Sequence, residues 1–235
     1  AEREQLTDYV SFNDFFTRAL KPGARPQPED AQVFVSPVDG TVSQFGEISG
    51  DRVIQAKGHH YTLSEFLPED TELADFVGGQ FCTIYLAPYN YHRIHMPIGG
   101  RLRHWTYVPG RLFSVNAATA RALPKLFARN ERLNARFDTP AGPFLLSMVG
   151  ALFVGSLETV WSGRITPPHL RRDGGQYTPM RDIELARGAE MGRFNMGSTV
   201  VLLLRPGALE WETGLRSGQP IRLGEPLARW RAAQA

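Results

Sequence analysis

Apolar residues fall into short runs separated by glycine and proline. The clearest is Thr199-Val-Val-Leu-Leu-Leu204. A run this short, rich in β-branched and aliphatic residues, predicts a buried strand. The same reasoning places strands at residues 33–35, 41–45, 52–56, 80–86, 100–108, 144–154 and 158–161. Two more are expected within residues 208–231, about a Ser217-Gly218-Gln219-Pro220 turn. Ser36-Pro-Val-Asp-Gly40 reads as a turn, with Asp39-Gly40 its strongest dipeptide. Helical spacing predicts a helix over residues 7–20, where Phe12, Phe15, Phe16 and Leu20 share a face and Ser11 can act as N-cap. Shorter helical pieces are expected at residues 64–67 and 118–127, and the Pro-rich stretch 21–30 reads as an extended linker. The fold class is mainly β (α+β): a barrel- or sandwich-like β domain with an N-terminal helix and a few short helices. The expected division is residues 1–30, helix and linker, then residues 31–235, a β-rich domain that carries the chemistry.

Composition narrows the classes. The chain has 235 residues, 42% hydrophobic and 21% charged, which is ordinary for a globular protein. A net charge of +2 is too small to argue for nucleic acid and still allows weak attraction to an anionic membrane. A single cysteine, Cys82, excludes an intrachain disulfide framework and is compatible with a reducing compartment. Its alternating surroundings read as a strand with a small buried side chain. No apolar run approaches the roughly 18 residues needed to cross a bilayer. No signal-peptide pattern is visible in the polar opening Ala1-Glu-Arg-Glu-Gln5.

Two stretches carry candidate chemistry. Gly197-Ser198-Thr199 leads into the buried run, so Ser198 is expected at the mouth of a strand, on a sharp turn that glycine permits. Its hydroxyl can turn on the carbonyl of Gly197. The Gly-x-Ser-x-Gly elbow of common hydrolases is absent there. The second stretch is Tyr91-His-Arg-Ile-His-Met-Pro97, which follows a strand and begins in a loop. His92 and His95, three residues apart, share a face on a helical turn and diverge on an extended chain. They also invite a metal reading, which needs a third ligand. His59, His60, His104 and His169 form no recognisable metal pattern and read as exposed loop residues. A second chemical reading joins Asp39, one of the two histidines and Ser198. A serine hydroxyl is a poor nucleophile until a base takes its proton, and a carboxylate can fix that base's tautomer.

At this point the residues resemble the phosphatidylserine decarboxylase proenzymes in their bacterial form. The blocks run in order from Phe12 to the C-terminus. They are Phe12-Asn-Asp-Phe-Phe-Thr-Arg18 with Arg25-Pro26, Ser36-Pro-Val-Asp-Gly40, Gln55-Ala-Lys-Gly-His59, Tyr91-His-Arg-Ile-His-Met-Pro97 and Tyr107-Val-Pro-Gly110 with Leu112-Phe-Ser-Val-Asn116. They continue with Leu126-Phe-Ala-Arg-Asn-Glu-Arg132, Val149-Gly-Ala151 with Val154-Gly-Ser156, and Glu190-Met-Gly-Arg-Phe194 leading to Gly197-Ser-Thr199. Met196 stands where bacterial members commonly have leucine, an apolar swap of similar volume.

The resemblance implies self-cleavage between Gly197 and Ser198 into a large chain, 1–197, and a small chain, 198–235, with Ser198 converted to a pyruvoyl group. It implies Asp39, His95 and Ser198 as the processing triad, and His92 as the residue that contacts substrate or moves a proton during decarboxylation. The pyruvoyl ketone would form a Schiff base with phosphatidylserine and take up the electrons left by CO₂, giving phosphatidylethanolamine. The implied partners are membrane phosphatidylserine, the two chains of one precursor and a second copy in a homodimer, with no metal and no nucleic acid. The implied location is the periphery of the bacterial inner membrane, on its cytoplasmic face. Residues 107–115 read equally as a lipid-facing surface or as a core strand and turn. Rival readings are a pyruvoyl decarboxylase of soluble amino acids, a carrier barrel and a metal hydrolase built on His92 and His95.

Overall fold

The computed structural model describes residues 1–56, 58–68, 70–152, 156–166, 174–195 and 199–233. Gly197, Ser198 and His169 lie outside the described residues. The strand Thr199–Leu204 runs through the centre of the main sheet, and every one of its residues is buried. It pairs antiparallel with Gly142–Val149 on one side and Gln80–Tyr85 on the other, so that Thr199 faces both Val149 and Tyr85. Each fully buried Val or Leu side chain there contributes about 1.5–3 kcal/mol.

From this centre a nine-stranded sheet spreads both ways. One flank adds Arg132–Thr139 and Gly100–Val108, on which Gly175–Tyr177 and Glu184–Leu185 both pair. The other adds Gly40–Glu47 and then Pro220–Ile221. The described strands form no closed barrel, and the architecture is sandwich-like. A three-stranded sheet of Val33–Val35, Pro226–Trp230 and Leu209–Trp211 shares the core. Phe34 of that sheet meets Phe144 of the large one edge to face, with centroids 5.8 Å apart. A four-stranded sheet, Gly163–Arg164, Leu157–Thr159, Glu190–Phe194 and Arg93–His95, carries the histidine motif. The hairpin Arg52–Ala56 with His59–Thr62 completes the sheets.

The last segment of the chain is therefore woven into the rest at several places. Besides the central strand, its Pro220–Ile221 pairs with Gly40 and Thr41, and Pro226–Trp230 pairs with Val33–Val35. The buried Gln80 amide donates to the Leu209 carbonyl (2.9 Å) and accepts from the Leu209 N–H (2.6 Å). These bonds and the apolar burial would persist if the backbone were cut ahead of Thr199.

Several expectations need correction. The helix expected over residues 7–20 is a 3₁₀ turn, Leu6–Asp8, and a five-residue helix, Phe12–Phe16, capped by Ser11. Phe16 is buried, but Phe12 is 66% exposed, because so short a helix turns only one flank to the core. The helix expected over residues 118–127 is split into Ala117–Ala122 and Leu126–Arg129. Pro124 forces its predecessor out of the helical region, and Lys125 is left-handed at φ 56°. The tail carries three strands rather than two, Leu209–Trp211, Pro220–Ile221 and Pro226–Trp230. His59 and His60 lie on a strand. His104 is buried rather than exposed, with Nε2 4.0 Å from Asp70. Residues 107–115 divide between the two readings, with Pro109, Gly110 and Arg111 exposed. Tyr107 and Val115 are buried, and Leu112 and Phe113 are half-buried.

Candidate active site

The Asp39 turn, the histidine motif and the start of the central strand come together at one side of the sheets. Gly40 accounts for the first junction. A Cβ there would lie 2.5 Å from the Tyr85 carbonyl oxygen, so only glycine lets the turn close on the strand that pairs with Thr199. The turn is tightened by the Ser36 hydroxyl, which donates to the Val38 carbonyl at 2.7 Å. The His95 N–H donates to the Pro37 carbonyl at 2.9 Å, fastening the histidine strand to the same turn.

Asp39 is buried and already fully engaged. Arg25 from the Pro-rich linker donates from Nε to Oδ1 (2.9 Å) and from Nη2 to Oδ2 (2.5 Å), a two-pronged charged contact. The Leu223 N–H donates to Oδ1 at 2.9 Å. The ring-orienting hydrogen bond expected from Asp39 to His95 is replaced. His95 Nδ1 donates instead to the Gly188 carbonyl at 2.8 Å. Asp39 still acts through space, favouring the charged form of both histidines against their burial.

The two histidines share a tautomer and differ in everything else. A carbonyl can only accept, so each Nδ1 that bonds one carries the proton, and each Nε2 is the basic atom. His92 Nδ1 donates to the Asn90 carbonyl at 2.8 Å. Its ring packs on Phe16 with centroids 4.0 Å apart, and its buried Nε2 has no partner among the described residues. Burial pushes its pKa down to about 4, the Asn90 bond opposes this, and Arg18 lowers it further. His95 is half-buried, and burial likewise lowers its pKa. Its Nε2 accepts from the Tyr91 hydroxyl at 3.0 Å. Glu190 and Arg93 flank it with opposite effects and are themselves paired at 2.9 Å.

The approach to Ser198 is held from both ends. The Phe194 N–H donates to the His92 carbonyl at 3.0 Å, and Asn195 is bonded through its N–H and side chain to Ser156. On the C-terminal side, Thr199 is fixed between Tyr85 and Val149, and its buried hydroxyl has no partner among the described residues. Two hollows adjoin this region. One, of about 510 Å³, is lined by Thr41, Tyr85, Val115, Ala120 and Arg121. It touches Tyr85, the residue opposite Thr199. The other, of about 360 Å³, is lined by Lys21, Arg25, Tyr91, Arg93, His95 and Glu190. Among the described residues, no three His, Cys, Asp or Glu side chains group as a metal site would require.

Sequence reasoning missed Arg25 and Tyr91 as members of this site. Arg25 sits in a Pro-rich stretch, where a cation reads as solvated. Tyr91 opens the histidine motif, and its even spacing from His95 puts both on one side of an extended chain. That signal needed the strand Arg93–His95 to be recognised.

A family model described as phosphatidylserine decarboxylase matches residues 12–229. The phosphatidylserine decarboxylase proenzyme of Nitrosococcus oceani is 52% identical over 231 residues, covering 97% of this chain and 76% of the relative. That of Saccharophagus degradans is 52% identical over 222 residues, covering 94% and 78%. That of Pseudomonas aeruginosa strain LESB58 is 50% identical over 234 residues, covering 97% and 80%. The chain belongs to the phosphatidylserine decarboxylase family, a family of carboxy-lyases.

Proposed function

We propose that this chain is a pyruvoyl-dependent phosphatidylserine decarboxylase that makes its own prosthetic group from Ser198. The observation that carries this reading is the pair of histidines, each donating its Nδ1 proton to a backbone carbonyl and so presenting Nε2 as its basic nitrogen. In the first reaction His95 accepts the proton of the Ser198 hydroxyl. The oxygen attacks the Gly197 carbonyl carbon, and the amide becomes an ester by an N→O shift. Loss of the Ser198 α-proton expels the Gly197 carboxylate. Water then converts the dehydroalanyl end to pyruvoyl with release of ammonia. Asp39 contributes negative charge beside the imidazolium and docks the small chain through Leu223.

The surroundings suit such a group. The residue after it is fixed in the middle of a sheet, and two buried polar atoms nearby in the chain and the fold, His92 Nε2 and Thr199 Oγ1, have no partner among the described residues. A pyruvoyl group supplies an electrophilic carbonyl for the substrate amine and an electron sink for the pair released with CO₂. His92 holds or moves the proton at the reacting carbon. Its low basicity keeps Nε2 unprotonated at neutral pH.

We infer a peripheral position at the cytoplasmic face of the bacterial inner membrane, in keeping with a membrane-lipid substrate. Exposed Leu6 (71%), Val10 (93%) and Phe12 (66%) on one short segment are suited to lipid contact. No helix of the described residues is long and apolar enough to cross a membrane.

Intact mass spectrometry after incubation with phosphatidylserine vesicles tests the reading. The expected outcome is two chains split at Gly197/Ser198, the smaller lighter by one ammonia than its serine-ended form, with phosphatidylethanolamine formed and protein sedimenting with the vesicles. Turnover by an uncut chain would defeat the pyruvoyl assignment. Protein that turns over vesicle lipid yet never sediments would defeat the peripheral one.

A further inference from the structure

We propose that the loops at one end of the large sheet form a docking rim that seats this chain on an anionic bilayer. This deepens the peripheral reading above and rests on it. Thr41, Tyr85, Thr199, Val149, Arg132 and Val108 stand in one register row across the sheet. The chain leaves the sheet just beyond that row after Tyr85, after Val149 and after Val108. The three departing segments therefore share one end. The Asp39 turn and the start of the central strand lie at that end too, and the segment after Tyr85 runs directly into the histidine motif.

What these segments carry suits a lipid surface. Tyr89 is 81% exposed and Leu152 is 53% exposed. Residues 109–129 contain Arg111, Arg121, Lys125 and Arg129 and no Asp or Glu, in a chain whose net charge is only +2. Lys125 pairs with Glu65, while Arg111, Arg121 and Arg129 are exposed and pair with no carboxylate among the described residues. Arg129 lies over the Phe113 ring, 4.9 Å from its centroid. Asn130 ties two of the loops together, its amide donating to the carbonyls of Phe113 and Gly150, both at 2.8 Å. Apolar and aromatic tips among unpaired cations match the acyl and phosphate layers of an anionic membrane. The substrate gives the rim its purpose. A two-chain lipid leaves its bilayer only by exposing its methylenes to water, so the site must come to the membrane.

The test sediments the full chain with vesicles of phosphatidylcholine alone and of phosphatidylcholine with phosphatidylglycerol, so that binding is measured without substrate. Turnover is followed separately on short-chain phosphatidylserine dispersed as monomers. A variant with both Tyr89→Ser and Leu152→Ser should bind anionic vesicles about tenfold more weakly. Arg111→Gln should lose about fivefold on anionic vesicles and nothing on neutral ones. Both should cleave themselves and turn over the short-chain lipid as wild type does, which also shows that they fold. Amide exchange of the wild-type protein needs no variant: residues 86–90, 109–113 and 150–152 should slow on anionic vesicles. Wild-type affinity in both variants, or unchanged exchange in these loops, overturns the rim. Loss confined to a variant with Leu6, Val10 and Phe12 replaced by serine does so too, and gives the membrane contact to the N-terminal segment. A wild-type chain that ignores both vesicles defeats the peripheral reading itself. One that binds them through these loops but leaves short-chain phosphatidylserine untouched defeats the catalytic reading and supports the rim.

Discussion

His92 and His95 stand three residues apart, carry the same tautomer, and are treated in opposite ways. His92 is sealed under Phe16, its basic nitrogen stripped of water and of any described partner. His95 lines an open cleft among Tyr91, Arg93 and Glu190, with its basic nitrogen already hydrogen-bonded. The source of the difference is the extended backbone. An odd spacing on such a chain sends side chains to opposite faces, here one toward the N-terminal helix and one toward the Gly188 loop. Burial without a partner makes a weak base that stays neutral. A cleft with flanking charges makes one that can take and return a proton. Strand parity thus gives the two histidines different surroundings, and the proposed division of labour follows from that difference.

The largest effect expected from breaking this comparison is on processing. His95→Ala should leave a single uncut chain on a gel, a loss of about 10³-fold or more in cleavage rate. His92→Ala should still be cut at least in part, while its decarboxylation falls by a similar factor. An uncut His92→Ala beside a cut His95→Ala would reverse the roles. Two uncut chains would make the pair a shared device.

Much of the frame was legible because it follows from local rules. The run Thr199–Leu204 announced itself by burial-compatible side chains, and Ser11 by its cap position. What was not legible depends on distant partners. The strand Arg132–Thr139 was overlooked because its buried positions include Arg132, Asn134 and Arg136. Arg132 is tolerable inside only because the carbonyls of Glu65, Phe66, Ala128 and Asn130 accept from it. No local pattern encodes that arrangement. The site divides the same way. Its histidines and Asp39 stood out as chemical residue types in loops, whereas the Arg25–Asp39 contact is a tertiary fact. The same tertiary packing took the expected Asp39 bond away from His95.

A smaller, thermodynamic effect separates the histidines by acidity. Below pH 6.5 an unfolded chain protonates His92, which the folded chain resists until about pH 4. The unfolded state therefore binds more protons in that window, and stability falls as pH falls through it. The loss attributable to His92 is roughly 3 kcal/mol once pH is below both values. His95 and His104, also lowered by burial, add the same sign. Urea unfolding of His92→Gln against wild type from pH 7 to 4 should show a shallower decline in the variant. Parallel declines would mean that His92 is not the buried neutral base described.

The smallest expected effect concerns Phe16, whose ring covers His92 at 4.0 Å. Phe16→Leu keeps an apolar contact but removes the flat face that excludes water from the imidazole. Water reaching His92 weakens the desolvation that dominates its lowered basicity, so its pKa rises from about 4 toward the ordinary value. The acidic limb of the decarboxylation rate should then move to higher pH by less than about one unit. The variant would lose at most a few-fold in rate near pH 4, less than about two-fold near pH 5 and little above pH 6. An acidic limb that stays put, in a variant that still folds and cleaves, would show that the limb belongs to another group. It would also show that the N-terminal helix covers His92 without tuning it.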